Sequence, residues 1–345
     1  MARQNTDRKI TIYDIADRVG ASPSTVGAVM NGSWKARRIS ADRATHIERI
    51  AGEMGYAPNL QASALRSDRS RIIGMIMPMY DNRYFGSIAE AFERGARARG
   101  LMPITSCTLR DPALEIATVR QMLAYQLDLI VCTGATDPDG IARLCATHNV
   151  PTINLDLPGT AAPSIISDNY AGAVKMTEES IARADDLSQT WRDDMVVVGG
   201  RAGDHNTRER VRGFSDGLRA AGAEPRIENI LTCGDAADKA EAAFAAHVDK
   251  QGTVPSALFV NSAISLEGIV RWLNRHQRDA LETMVLGSFD WDPFAQYIAK
   301  NVVTIRQDAP AMLDAMFKLI DSGEMPQNHL IEIEPIVVAN ASADA

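Results

Sequence analysis

Four cysteines in 345 residues, Cys107, Cys132, Cys145 and Cys233, are too few and too scattered for a disulfide framework, and none stands in a Cys-x-x-Cys pair. The six histidines follow no metal-ligand spacing, so neither a zinc site nor any other metal or cofactor is expected. No apolar run reaches the about 18 residues that a membrane span requires. The polar start, Met1 to Lys9, leads into no apolar stretch of signal-peptide length. A reducing, cytoplasmic setting is the expectation, with no membrane partner. A P-loop and a Gly-x-Ser-x-Gly elbow are both missing, and Gly199-Gly200-Arg201-Ala202-Gly203 departs from the Gly-x-Gly-x-x-Gly dinucleotide fingerprint. These gaps argue against an enzyme, although doubly wound folds host many and that reading stays open as the rival.

What is present is enough chain for two or three domains, with 46% hydrophobic and 23% charged residues and no low-complexity tract. The net charge of −8 conceals an asymmetry. Residues 1–71 carry a balance of +5 and the remainder −13. A basic head on an acidic body suits a protein that offers one end to a polyanion and repels it elsewhere.

Three short helical patterns fill residues 12–56. Ile12, Ile15, Ala16 and Val19 share one helical face before Gly20 breaks the run. Ser22-Pro23 opens a second helix, because the hydroxyl can cap free N–H groups and proline at the first helical position gives up no hydrogen bond. Val26 and Val29 point inward, and Asn31-Gly32 ends it. Ser40 caps a third helix whose apolar set is Ile47, Ile50, Ala51 and Met54. The spacing fits a helix-turn-helix, and a plain helical hairpin fits it as well.

Beyond residue 70, short apolar strands alternate with amphipathic helices. Strands are expected at 72–77, 101–106, 129–132, 152–155, 195–198, 257–260, 284–286 and 303–305. Such alternation builds parallel sheets with helices on both faces, and the number of strands suffices for two sheets with a ligand cleft between their strand ends.

The run Ile12-Tyr13-Asp14-Ile15-Ala16-Asp17-Arg18-Val19-Gly20-Ala21-Ser22-Pro23-Ser24-Thr25-Val26, with Asn31-Gly32, Arg38-Ile39-Ser40 and Gly55-Tyr56-Ala57-Pro58-Asn59, resembles the head of the lactose-repressor (LacI/GalR) family, and the likeness continues along nearly the whole chain. It implies an α/β protein: an all-α helix-turn-helix head on a two-lobed, periplasmic-binding-protein-like (type I) doubly wound core. The expected parts are a head over 1–58, a hinge helix and linker over 59–71, and a sensor over 72–345. The expected lobes are 72–167 with 307–326 and 168–306 with 327–345. The implied function is a DNA-binding regulator, commonly a repressor, tuned by a small, sugar-like effector and acting on operator DNA as a homodimer. Inducer or corepressor, repressor or activator, stays open.

The resemblance also implies which residues act. Pro23, Ser24 and Ala28 match positions near the start of the groove-entering helix. The family commonly has Ser-Arg where this chain has Gly27-Ala28, so a bidentate arginine–guanine contact is lost. Thr11, Tyr13, Ser22, Thr25, Asn31 and Tyr56 complete the DNA-facing set. A loop about three residues longer than in the lactose repressor adds Lys35, Arg37 and Arg38 as phosphate contacts that compensate for the lost arginine. Asn59, Ala62 and Leu65 match the hinge helix, with Leu65 as its minor-groove wedge. In the cleft the matches are Tyr84 and Phe85 for stacking; Asp156 and Asp168 as carboxylate acceptors; and Arg210, three residues before Gly213-Phe214, as a guanidinium fork. Asn261 (followed by Ser262 in place of the family's Asp), Asp290 and Gln307 complete the expected ligand-binding set.

Overall fold

A computed structural model of the chain describes residues 9–56 and 69–339. It divides between Ser70 and Arg71 into two compact units.

The first unit is a three-helix head: α1 (Ile12–Val19), α2 (Pro23–Met30) and α3 (Ala41–Glu53). Asp14 accepts hydrogen bonds from the Thr11 amide at 2.7 Å and hydroxyl at 2.6 Å, closing the first turn of α1. Gly20 ends that helix at φ 60°, a left-handed conformation that glycine adopts without steric penalty. Ser22 caps α2 by accepting from the Thr25 amide, and Ser40 caps α3 by accepting from the Arg43 amide. Ile15, Ala16, Val19, Val26, Val29, Ala44, Ile47 and Ala51 form the core of the head, with Trp34 and Tyr56 packed at its margin. The Arg43 guanidinium donates to the carbonyls of Val19 and Gly20, pinning α3 to the α1–α2 turn.

The second unit contains two six-stranded sheets among the described residues. The first has the order β11-β5-β4-β3-β1-β2 and is parallel throughout. Its strands are β1 (Ile72–Met77), β2 (Met102–Cys107), β3 (Leu129–Thr133), β4 (Thr152–Leu155), β5 (Ser164–Ser167) and β11 (Leu330–Ile333). The second has the order β12-β10-β9-β8-β6-β7, with strands β6 (Val196–Val198), β7 (Ile230–Leu231), β8 (Ala257–Val260), β9 (Val285–Phe289), β10 (Asn301–Arg306) and β12 (Ile336–Ala339). Only the β10–β12 pair is antiparallel there.

Helices cover both faces of each sheet, which explains why the strands read as continuous apolar runs. In the first lobe, Ile73, Met75 and Met77 pack with α4 (Arg83–Ala98) and α11 (Ala309–Ser322). Ile76 and Ile130 face α5 (Pro112–Ala124) and α6 (Pro138–Ala146). In the second lobe, Val197 and Phe259 pack with α7 (Asn169–Asp186) and α8 (His205–Ala220), while Val196, Val198 and Leu258 pack with α9 (Ala237–Gln251) and α10 (Ala263–His276). The chain crosses between lobes after β5, after β10 and between β11 and β12.

That last crossing corrects one expectation, since residues 327–345 do not all belong to the second lobe. Leu330–Ile333 adds a parallel edge strand to β5, with Leu330 opposite Ser164 and Ile333 opposite Ser167. Among the described residues of that stretch, Ile336–Ala339 reaches the second sheet. The short strands β5 and β7 lie outside the expected set.

Candidate functional site

Most of the long helices that follow strands begin on side-chain caps, α8 and α9 excepted, and their starts lie at the rim between the lobes. Asn82 accepts from the Tyr84 amide at 2.9 Å, starting α4 so that Tyr84 and Phe85 turn inward and are buried. Asp156 follows β4 and Asp290 follows β9, each at the C-terminal end of a strand in one of the facing sheets. Both adopt left-handed backbone, φ 71° and 78°, which is costly for residues with a Cβ and is retained where a side chain must be aimed.

Between the lobes these residues meet in one buried polar network. Asp156 Oδ1 accepts from the Tyr84 hydroxyl at 3.2 Å and, across the cleft, from Asn206 Nδ2 at 3.1 Å. Asn206 Oδ1 accepts from Asn169 Nδ2, and Asn169 Oδ1 accepts from Arg210 Nε at 2.8 Å. Arg210 is 4% exposed, donates Nη1 to the Asn261 carbonyl at 2.5 Å, and lies 3.7 Å over the Phe289 ring. Gln307 Nε2 donates to Asp290 Oδ1 at 2.6 Å. The residual cavity they enclose is about 40 Å³, room for a few water molecules. Three buried polar atoms of its lining have no partner among the described residues: Arg110 Nε, Asn261 Oδ1 and Gln307 Oε1. Among the described residues, one donor and two acceptors of the lining side chains are thus unpartnered.

Burial pushes the Asp156 carboxyl up to about 6, with the Arg110 and Arg210 charges opposing the rise. Burial also raises Asp290 against Arg210, and lowers Arg210 against the attraction of Asp290 and Asp156. Tyr84 is driven well above its ordinary value by burial and by the adjoining Asp156. A carboxyl raised in the fold means that the native state takes up its proton more readily than the unfolded chain does. Its ionisation therefore costs stability as pH rises from about 4 through 6. Asp156→Asn keeps the shape and the acceptor and removes the charge. Thermal unfolding of the variant will show it at least as stable as the wild type at pH 7.5, with any advantage fading as pH falls to 4.5.

Of the sequence-derived ligand set, Tyr84, Phe85, Asp156, Arg210, Asn261, Asp290 and Gln307 line this cavity. Asp168 does not, which corrects its assignment. Its carboxylate is spent on the α7 cap, accepting from the Ala171 amide at 2.8 Å, and the next residue, Asn169, supports Arg210 instead. Sequence reasoning missed Asn82, Arg110, Asp204, Asn206 and Asp235. Asn206 was within reach, since it stands one helical turn before Arg210 on the same face. The Arg210-x-x-Gly213-Phe214 segment has a steric basis as well. A Cβ on Gly213 would lie 2.5 Å from the Tyr170 carbonyl oxygen, so glycine is what lets α8 approach α7 closely enough for Arg210 to meet Asn169. Gly213→Ala will lower stability by about 1–3 kcal/mol in denaturant unfolding and weaken ligand binding together, through displacement of α8.

In the head, Ser22, Ser24 and Thr25 share a hydroxyl cluster at the start of α2, with Ser22 Oγ 2.8 Å from both neighbours. Ser24 is exposed and Pro23 and Thr25 half-buried, while Tyr13 is strongly exposed. Ala28 is 2% exposed, which corrects its place among the base-facing positions, because a covered methyl group offers no surface to a thymine. Thr11 is engaged with Asp14, and Tyr56 packs on the core of the head. Asn31 Oδ1 accepts from the Ser33 amide and hydroxyl, folding the loop that presents Lys35, Arg37 and Arg38 to solvent. Trp34 anchors that loop to the core, and Lys35 Nζ stands 5.3 Å over its ring. Asn59, Ala62 and Leu65 lie outside the described residues.

A helix-turn-helix unit followed by two doubly wound lobes around a polar cleft defines the class: a DNA-binding regulator with a small-molecule sensor of the periplasmic-binding type. Residues 70–315 match the family described as periplasmic binding proteins and sugar binding domain of the LacI family, and residues 11–59 match the bacterial regulatory proteins of the lacI family. The chain belongs to the LacI family, and is a transcription regulator rather than an enzyme. Among its relatives is the ribitol operon repressor of Klebsiella aerogenes, 59% identical over 177 residues, a match spanning 51% of this chain and 66% of that repressor. The sucrose operon repressor of Klebsiella pneumoniae is 28% identical over 93% of this chain and 95% of its own length. A crystal structure of the lac repressor dimer bound to operator and the anti-inducer ONPF has the same fold, with a TM-score of 0.76 at 19% identity, covering 96% of this chain and 98% of that one.

Proposed function

We propose that the chain is a cytoplasmic, homodimeric repressor that releases operator DNA when a small neutral polyol, a pentitol such as ribitol or the ketopentose derived from it, binds between the lobes. The carrying observation is the charge of the cleft. Asp156, Asp204, Asp235 and Asp290 line it against Arg110 and Arg210, so an anionic sugar phosphate would enter a surplus of carboxylates. Hydroxyl groups suit the available atoms, donating to Asn261 Oδ1 and Gln307 Oε1 and accepting from Arg110 Nε. A cavity with room for a few water molecules must open to admit a five-carbon chain and must open further for a disaccharide. Relatedness to a ribitol operon repressor points the same way.

In this reading the head occupies 1–58, and a hinge over 59–71 folds on DNA, with Asn59 at its start, Ala62 at the dimer contact and Leu65 as the wedge. A ligand shifts operator affinity only by its differential affinity for the two sensor states. Fluorescence anisotropy on the duplex upstream of the gene tests it. Ribitol or ribulose should release the protein at concentrations at which sucrose and fructose 1-phosphate leave it bound. Release by the phosphate ester alone would exclude the neutral-polyol reading.

A further inference from the structure

Arg110 stands in the loop after β2 of the first lobe, and its partners stand in the second. Its Nη1 lies 3.5 Å from Asp204 Oδ2 and 3.6 Å from Asp235 Oδ2, across the mouth of the cleft. All three side chains are largely sequestered, with relative exposures between 15% and 20%, so solvent screens the pairs less than it would at an open surface. The loop is bent to achieve this. Leu109 and Arg110 are consecutive non-glycine residues at φ 54°, a backbone region that L side chains rarely adopt. Burial of Leu109 does not compensate, because that side chain is 71% exposed. The loop is tied down by the Thr108 and Leu109 amides, which donate to the Met77 and Pro78 carbonyls at the end of β1. What the bend achieves is delivery of one guanidinium across the cleft.

The two ends of that guanidinium differ. Nη1 faces the carboxylates, while Nε is buried with no partner among the described residues, on a side chain that lines the polar cavity. The carboxylates keep a second cation when the lobes part, since Arg201 of their own lobe reaches Asp204 at 2.9 Å and Asp235 at 3.5 Å. Opening therefore takes from Arg110 its two cross-lobe partners, leaving it Asp156 and the Phe85 ring of its own lobe, while the carboxylates keep Arg201. A contact of this kind favours closure without locking it.

We propose that Arg110 couples effector recognition to lobe closure: its Nη1 clasps Asp204 and Asp235 of the opposite lobe while its Nε is reserved for a hydroxyl oxygen of the effector. The Nε half rests on the neutral-polyol reading above, and the clasp half is independent of it. A ligand that satisfies Nε is bound most tightly in the geometry that also makes the clasp, which is the differential affinity an effector needs. Arg110 is thus a binding and positioning residue of the sensor, outside the set that the family resemblance supplied.

The two halves separate experimentally in the full-length protein. Arg110→Lys retains a cation for the carboxylates and lacks the Nε–H, whereas Arg110→Gln loses the charge. Without ligand, hydrogen exchange followed by mass spectrometry should show the segment 199–206 and the segment around 234–235 exchanging about tenfold faster in Arg110→Gln than in wild type, with Arg110→Lys close to wild type. Raising sodium chloride from about 50 to 500 mM should speed the same segments more in wild type than in Arg110→Gln, where only the Arg201 pairs remain to be screened. Calorimetry with ribitol should find Arg110→Lys at least about tenfold weaker, as expected on loss of one buried charged hydrogen bond. Exchange in β1 and β8 reports whether each variant is folded. Equal ligand-free exchange in wild type and a folded Arg110→Gln overturns the clasp, and undiminished ribitol affinity in Arg110→Lys overturns the role of Nε. If wild type binds no pentitol, the polyol reading and the Nε role fall with it, while the exchange and salt arms still decide the clasp.

Discussion

Arg210→Gln will destabilise the sensor body by about 3–5 kcal/mol and abolish the response to effector while leaving the isolated head able to fold. The guanidinium is buried and engaged on three sides, by Asn169, the Asn261 carbonyl and the Phe289 ring. Its charge also holds down the raised carboxyls of Asp156 and Asp290. Glutamine restores at most one of the two donations and none of the charge, so Asp290 loses its principal counter-ion and Asp156 is left with Arg110. Denaturant unfolding measures the first effect, and effector titration against operator-bound protein measures the second. Removal of one buried carboxylate, as in Arg210→Gln combined with Asp290→Asn, should recover part of the stability and none of the response. If the single variant unfolds like wild type, the network carries no electrostatic load and the role given to Arg210 is wrong.

The second large effect concerns DNA. Arg37→Gln with Arg38→Gln will weaken operator binding about tenfold or more at 0.15 M salt and reduce the slope of log affinity against log salt by about 1.8. The exposed side chains of α2 near its start are short, with Ser24 and Thr25 turned into the Ser22 hydroxyl cluster and Ala28 covered. Reach and charge lie instead in the loop folded by Asn31 and anchored by Trp34, where Lys35, Arg37 and Arg38 are all exposed. An unchanged salt slope would assign these arginines to solvent. If affinity falls on the operator but not on random duplex, the loop reads bases as well as phosphates.

Much of this was legible in the chain because it is local. Gly20, Ser22-Pro23 and Ser40 mark helix ends by chemistry that acts within four residues, and the structure places a left-handed turn and two hydroxyl caps there. The apolar runs at 72–77, 152–155 and 257–260 became strands because helices bury both of their faces, a condition that any doubly wound sheet imposes. The same locality explains the failures. Asp168 precedes a helix and follows a strand, and the sequence does not say whether its carboxylate caps the helix or faces the cleft; the free Ala171 amide three residues on claims it. Ala28 looked available on a one-dimensional helix and is covered in the folded head.

The amino-acid order alone determined the parts: a capped three-helix head, a β/α body of two sheets, and the residues that stand at strand ends. Tertiary structure decided which of them meet. Arg110, Asp204 and Asp235 are separated by up to 125 residues, and nothing in their neighbours announces the clasp. Nor does local sequence assign Leu330–Ile333 to the first sheet, which follows from an open edge at β5. Caps and periodicity act through a few bonds and can be read from the chain, whereas charges facing one another across a cleft exist only once both lobes have been built.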